Sequence, residues 1–435
     1  MKQSCLKSAI AAIVAFSLIT LSACSSNEPT VSSTPHTSEK SDIRSVEDAC
    51  NIALAFLEAG NDISASRSED AIANVKIGYG ASSRSGAADT LFYSVNLAND
   101  GGFVLVSAPT AAEPVLAFVE NGSYDPAQPS DNPGFNMFIE KSKEYISISS
   151  IKPGSSGGPV IVKKPYTLVR DVEPKLKVEW GQDFPEGIFC SNGLSGCVQT
   201  AMAMILSYFE QPTSIELTYP GHPINNLELN WPDIKKHKTS CYNFPFLTQP
   251  HLENCNATKE SHNALGHLCR ELGHRNNADY KTLEKDGRLA TSAYDINAHS
   301  LFKDLLPTKT ITNLYPFSSQ NFSTLISSMN SNNAIAYFRG EEKIDDKNYG
   351  HAWVCEGGRH YEYHTEIYFA NGEEDVRNTF YFYFNWGWNG DSNGYFLGDV
   401  YDTTKGLKEE DLPPYGIHFS SRANFTELIY YFTIY

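Results

Sequence analysis

The sequence predicts an α+β protein of two folded units joined by a flexible connector. Three observations lead there. The chain has 435 residues, against about 100–200 for a typical single domain. Apolar residues at helical spacing and short strand-like runs occur in both halves, so neither helix nor strand dominates. Between the halves, Lys152-Pro153-Gly154-Ser155-Ser156-Gly157-Gly158-Pro159 carries too much proline and glycine to hold regular structure. The composition is that of folded protein: 41% hydrophobic and 20% charged, with 24 Tyr and 24 Phe, residues in which long disorder is poor. A formal charge of -17 repels phosphate backbones, which argues against nucleic acid as a partner.

Residues 1–23 read as a signal peptide. Lys2 and Lys7 lead into an uncharged apolar run ending at Ala23, too short to span a bilayer comfortably. The run ends in Leu21-Ser22-Ala23-Cys24, which resembles the lipobox of bacterial lipoproteins. That resemblance implies that Cys24 is diacylated, becomes the new N-terminus and anchors the exported chain to a membrane or cell surface, each buried CH₂ adding about 0.8 kcal/mol. Residues 24–42 are rich in Ser, Thr and Pro and read as a tether. Seven of the nine cysteines remain after Cys5 and Cys24 are set aside. An odd number in an exported chain leaves at least one thiol outside any intramolecular disulfide. Cys241 and Cys255 are close enough in sequence to pair.

The first unit, 43–150, opens with a helix carrying Val46, Ala49, Cys50, Ala53, Leu54 and Leu57 on one face, with Gly60 as its stop. Strands at 91–97 and 102–107 flank Asn99-Asp100-Gly101 as a hairpin, a third strand covers 115–119, and a second helix covers 135–146. The connector, 151–164, is where an exposed chain would be cut, with the bond after Val162 as one candidate. Its Gly154-Ser155-Ser156-Gly157-Gly158 stretch has the letters of a hydrolase nucleophile elbow. Pro153 and Pro159 bracket it, so the strand and helix that such an elbow needs are missing.

The second unit, 165–435, holds three stretches that carry chemistry. In the first, Val198, Ala201, Met202, Ile205 and Phe209 share a helix face that begins after Gly196. Cys197 therefore stands at a helix N-terminus, where unpaired N–H groups and the helix dipole favour a thiolate. In the second, Gly350-His351-Ala352-Trp353-Val354 reads as a strand starting at His351 and ending in a turn at Gly357-Gly358, with Gly350 leaving room for a substrate backbone. In the third, a strand at 379–384 delivers Asn385-Trp386-Gly387-Trp388 to a glycine-rich turn. A polar side chain and a shielding indole are what a cysteine–histidine pair needs to fix the imidazole and exclude water. A structural cysteine and an aromatic core are the plainer readings of the first and third stretches taken singly.

Taken in order, Gly196-Cys197-Val198, Gly350-His351-Ala352 and Asn385-Trp386-Gly387-Trp388 resemble the streptopain family, papain-like cysteine peptidases of bacteria. The first unit adds Gly101-Gly102-Phe103-Val104 and Pro114 to Phe118, which are similar to that family's prosegment. The resemblance implies a papain-like fold, with a helical subdomain and an antiparallel β subdomain, preceded by a small α+β propeptide domain. It implies a self-processing zymogen whose propeptide inhibits it and whose substrates are proteins or peptides, with a preference for a hydrophobic residue two positions before the cut bond. Cys197 would be the nucleophile, His351 the proton acceptor and Gln182 the oxyanion-hole donor. Asn385 and Trp386 would orient and shield His351, while Gly350, Ser292 and Trp388 would line the substrate cleft.

No cofactor or metal is expected. Cys255, His262, His267, Cys269 and His274 are metal-ligating types at irregular spacing, and His360 and His364 fall on an alternating strand rather than one helix face. Two other readings stay open on the residues: a papain-like amidase or transglutaminase, and a surface binding protein that has lost activity.

Overall fold

The computed structural model describes residues 42–62, 71–80, 89–128, 130–151, 161–162, 166–222, 224–237, 256–283, 289–293, 295–344, 347–366, 374–402 and 429–435. The signal segment, Cys24, most of the connector, Cys241 and Cys255 lie outside the described residues. Among the described residues no helix is long and apolar enough to cross a membrane.

The N-terminal unit begins with α1 (Val46–Ala59). Ser45 and Asp48 cap it reciprocally, each side chain accepting from the other's backbone N–H. An antiparallel meander follows: β1 (Ile72–Tyr79), β2 (Thr90–Leu97), β3 (Phe103–Ser107) and β4 (Val115–Val119). The expected hairpin is present with a wider turn. Asn99 and Asp100 adopt φ of 57° and 60° in a 3₁₀ turn, which short polar side chains tolerate. The unit closes with α2 (Pro133–Ile151), started by Asn132, whose Oδ1 accepts from the Phe135 N–H at 3.1 Å.

β5 (Ile161–Val162) lies within the connector, and after it come β6 (Thr167–Val172), α3 (Cys197–Phe209), the ribbon β7 (Ser214–Glu216) and β8 (Asn226–Glu228), α4 (Trp231–Ile234) and α5 (Lys259–Arg275). A second ribbon, β9 (Asp279–Leu283) and β10 (Leu289–Ser292), precedes α6 (Asp295–Leu305), β11 (Tyr315–Pro316) and α7 (Ser319–Asn332). The chain ends in β12 (Ile335–Ile344), β13 (Lys347–Glu366), β14 (Glu374–Asn385), β15 (Gly394–Leu397) and β16 (Tyr430–Ile434).

The fold is α+β, and one twelve-stranded sheet runs through both units in the order β1-β2-β3-β4-β15-β14-β13-β12-β16-β11, with β5 and β6 pairing β13. The join is antiparallel β4–β15, with Val119 opposite Gly394 and Ala117 opposite Phe396. The units share packing as well as backbone pairing. One apolar cluster combines Phe103, Phe135 and Phe138 of the first unit with Trp353, Phe384, Trp386 and Phe396 of the second. A second cluster sets Met202, Leu265 and Phe302 of the helices against Tyr337, Val354 and Phe432. Alternation along β13 explains the division: Trp353 and Cys355 face the first cluster, Ala352 and Val354 the second. Burying Phe135 and Phe138 contributes about 1.5–3 kcal/mol each to holding α2 on the sheet.

Polar clamps reinforce the same interface. Arg359 grips both Asp62 oxygens at 2.7 and 3.0 Å, meets Asp171 at 3.2 Å and lies 4.0 Å over the Tyr395 ring. Buried Glu113 accepts from the Tyr363 hydroxyl and from Arg377 at 3.2 Å, and Tyr383 donates to Glu120 at 2.9 Å.

Two strand expectations are corrected. β13 starts at Lys347, so His351 sits within a strand and not at its beginning. Gly357-Gly358 is no turn: β13 continues to Glu366, and the glycines mark where its partner on one edge changes from β12 to β6. The backbone of β6 approaches closely there, and that spacing excludes a side chain as firmly as a turn would.

Candidate active site

The site is assembled around the N-terminus of α3. Gly196 precedes Cys197 with φ of +93°, in the region that glycine alone enters cheaply. A Cβ at Gly196 would lie 2.9 Å from Gln199 Oε1 and 3.0 Å from Thr291. No side chain caps α3, so first-turn N–H groups stay available to a negative charge at the thiol. Cys197 is half-buried and carries a thiol, as do Cys50, Cys190, Cys269 and Cys355.

Gln182 is brought beside this turn by its backbone. Its carbonyl accepts from the Ser195 N–H at 2.7 Å and from the Ser195 hydroxyl at 3.1 Å. One residue earlier, the Gly181 carbonyl bonds the Thr200 hydroxyl at 3.0 Å. Thr200 on α3 thus ties the Gln182 segment to the helix that Cys197 opens, a role that nothing in its local sequence signals.

His351 is buried, and its Nε2 bonds the backbone carbonyl of Trp386 at 2.9 Å. A carbonyl only accepts, so Nε2 carries a proton, and in the neutral ring Nδ1 is then the basic nitrogen. The carbonyl is held in place because the Trp386 N–H donates to Asn393 Oδ1 at 3.1 Å and its indole N–H to the Ser392 carbonyl at 2.9 Å. Burial pushes His351 down to about 4, with the bond to Trp386 opposing that shift.

Trp386 lies beside His351, ring centroids 6.4 Å apart, while the hydrogen bonds of the Asn385 side chain go elsewhere. Asn385 Nδ2 donates to the Val178 carbonyl at 3.1 Å, and its Oδ1 accepts from the Gly387 N–H at 3.2 Å. It also supports the carboxyl of Glu356, which burial pushes up to about 7. The reason is positional. Asn385 is the last ladder residue of β14, opposite Val354, whereas Trp386 lies past the ladder with its carbonyl unspent. Asn385 steadies the segment leading to Gln182. Asn385→Ala should lower kcat about tenfold, the loss a displaced oxyanion donor would begin to produce, while the pH profile of kcat/KM keeps its midpoints. A moved acid limb would show that Asn385 acts on His351 instead.

The remaining candidates border the same region. Gly350 is exposed directly before His351, Ser292 is exposed at the end of β10, and Trp388 is half-buried in the loop after Trp386. That loop is tied back by the Asn389 N–H to the Trp180 carbonyl at 3.3 Å. Thr291, beside Ser292, bonds the Leu194 carbonyl at 2.9 Å. Among the described residues, no three His, Cys, Asp or Glu side chains gather as a metal site; His267 instead bonds Tyr219.

One participant comes from the other unit and was not singled out from sequence. Gly134, in the first turn of α2, packs directly on the site: a Cβ there would lie 2.5 Å from Trp386 Cε3 and 2.8 Å from His351 Cδ2. The N-terminal unit therefore covers the imidazole and the indole at once.

The chain is similar to known proteins over both units. Residues 177–396 match the Peptidase C10 family and residues 40–146 match the Spi protease inhibitor family. Streptopain of Streptococcus pyogenes is 24% identical over 387 residues, covering 82% of this chain and 85% of that protein. The thiol protease/hemagglutinin PrtT of Porphyromonas gingivalis is 23% identical over 333 residues, covering 71% of this chain and 34% of that protein. Among solved structures, a fragment of prointerpain A from Prevotella intermedia aligns with a TM-score of 0.49 at 19% identity, covering 83% of this chain and 98% of the fragment. With the family match spanning half of its length, the chain belongs to the Peptidase C10 family: it is a cysteine endopeptidase of protein substrates, made with an inhibitory propeptide at its N-terminus.

Proposed function

We propose that the protein is an exported, lipid-anchored zymogen whose peptidase works through Cys197 and His351 once the propeptide domain leaves. The observation that carries this reading is the bond from His351 Nε2 to the Trp386 carbonyl, which leaves Nδ1 as the base for a thiol at the start of α3. In the mature enzyme His351 Nδ1 takes the thiol proton of Cys197, and the thiolate attacks the peptide carbonyl carbon. The oxyanion is held by the Cys197 N–H and the Gln182 side chain. The protonated imidazole then gives its proton to the leaving amine, and water, deprotonated by the same nitrogen, releases the acyl group from sulfur. Gly350, Ser292 and Trp388 border the cleft in this reading, and a hydrophobic residue two positions before the cut bond is preferred. Peptides varied at that position, assayed with the processed enzyme, test the preference; equal kcat/KM for Leu and Asp there would refute it.

Cys24 is the anchor in this account, and cutting in the connector frees the catalytic unit from it. Radiolabelled palmitate incorporated in cells by the native chain but not by Cys24→Ala tests the anchor.

The first cut is made by a second molecule. β5 pairs the end of β13, Val162 opposite Thr365, and His351 lies fourteen positions back along that strand, about 45 Å at 3.3 Å per residue. The Val162 end of β5 is thus far along the sheet from His351. Initial conversion should rise with the square of zymogen concentration, and active enzyme should cut the Cys197→Ala zymogen after Val162. A first-order rate unchanged by dilution would exclude this route.

A further inference from the structure

A cavity of about 540 Å³ opens on the helical side of the catalytic unit, lined among others by Phe189, Ser191, Tyr219, Asn263, His267 and Arg270. Its chemistry is cationic and aromatic in a chain of formal charge -17. Arg270 is half-buried on α5 and fixed from two sides, its guanidinium 4.7 Å from the Tyr280 ring centroid and 5.2 Å from that of Tyr219. Nη1 donates to the Tyr280 hydroxyl at 3.1 Å. Among the described residues it meets no carboxylate, so most of its five N–H donors are unspent.

The adjacent carboxylate is committed elsewhere. Glu271 accepts from the Thr218 N–H at 2.7 Å, the Thr218 hydroxyl at 2.6 Å, the Tyr219 N–H at 3.1 Å and Arg275 at 2.7 Å. Those bonds fix the 218–219 segment that forms one wall. Beside it the lining is a stack, with the His267 ring 3.8 Å from that of Phe189 and 9° from parallel. His267 Nδ1 and the Tyr219 hydroxyl share a 2.5 Å hydrogen bond. Tyr219 and His267 are thus held beside the guanidinium, the preorganisation that lets a planar cation take a carboxylate in two parallel bonds at little ordering cost.

We propose that this cavity is an exosite for an acidic side chain of a peptide or protein substrate, its carboxylate on Arg270 and its neighbouring apolar atoms against Phe189 and Tyr219. The biological reading rests on the peptidase assignment, but the site itself does not. Phe189 and Ser191 belong to the segment between Gln182 and Cys197, where Asn192 Nδ2 bonds the Ala290 carbonyl and the Thr291 hydroxyl at 3.0 Å each. An occupied exosite therefore touches the same segment that joins the oxyanion donor to the nucleophile.

The test uses the full chain with Cys197→Ala, so that binding is measured without turnover and its outcome is independent of whether the protein cuts peptides. Two end-capped hexapeptides, identical except for one Glu or Gln beside a Phe, are titrated calorimetrically. The Glu peptide should bind at least tenfold tighter, with the advantage shrinking in 0.5 M NaCl. Arg270→Gln should erase the difference. Asn263→Asp, which adds a carboxylate at the cavity without touching the Arg270 stack, should weaken the Glu peptide alone and serves if Arg270→Gln does not fold. Equal binding of the two peptides, or an intact preference in both variants, would overturn the proposal.

Discussion

Cys197→Ala should fold, keep its propeptide domain docked and hydrolyse no peptide bond at a measurable rate. The sulfur supplies the only bond to substrate in the proposed mechanism, and removing the nucleophile of such a unit costs about 10⁴–10⁶ in kcat. His351→Ala should fall nearly as far, because the thiol then loses its base, and combining the two substitutions should cost little more than either. The structure explains why the fold survives the first change. Gly196, Thr200 and Thr291 make contacts that shape the turn, and those contacts do not involve the sulfur that the substitution removes. Activity assays on the processed forms, with circular dichroism of each variant, check both parts.

Gly134→Leu should turn a latent zymogen into one that converts rapidly. A side chain at residue 134 must occupy space already filled by the Trp386 indole and the His351 imidazole. Trp386 is anchored by two hydrogen bonds and His351 by one, so α2 is the part that moves. Inhibition of mature enzyme by the separately added propeptide domain should weaken by about 5- to 150-fold, since overpacking of this kind costs about 1–3 kcal/mol.

The pH dependence of native inhibition carries a sign from each side of the interface. Burial pushes His351 down to about 4 in the docked state. Its contribution to docking is then present above the ordinary histidine value near 6.5 and lost as pH falls towards 4. Burial pushes Glu113 and Glu120 up; their contribution is present below the ordinary carboxylate value near 4.3 and lost as pH rises through their docked values. Between about 4.3 and 6.5 the two contributions oppose each other, so Glu113→Gln should make propeptide affinity rise more steeply with pH across that window. A slope left unchanged by Glu113→Gln would contradict the burial of Glu113 at the interface.

Local signals were legible in the sequence and long-range ones were not. The helix at Cys197–Phe209 follows directly from apolar periodicity after Gly196. The ladder ending at Asn385 follows from its aromatic run. The true partner of His351 is a backbone carbonyl, and a carbonyl has no letter. Asn385 has the right chemistry for that task, so only its ladder position shows that it serves the Val178 segment instead. Gly134 follows a proline in an unremarkable helix start, and its importance comes from a contact more than two hundred residues away. The shared sheet was hidden for the same reason, since strand pairing across units depends on β4 and β15 meeting, which neither strand's own pattern records.

Labelling with an epoxide inhibitor of cysteine peptidases tests the central claim most directly, with the modified residue located by mass spectrometry in the full chain and in the processed enzyme. Cys197 should be modified stoichiometrically in the processed enzyme, with matching loss of activity, and labelled at least about 100-fold more slowly in the full chain, where α2 covers His351. Equal labelling of both forms, or modification at Cys190 or Cys50 while Cys197 stays untouched, would contradict that claim.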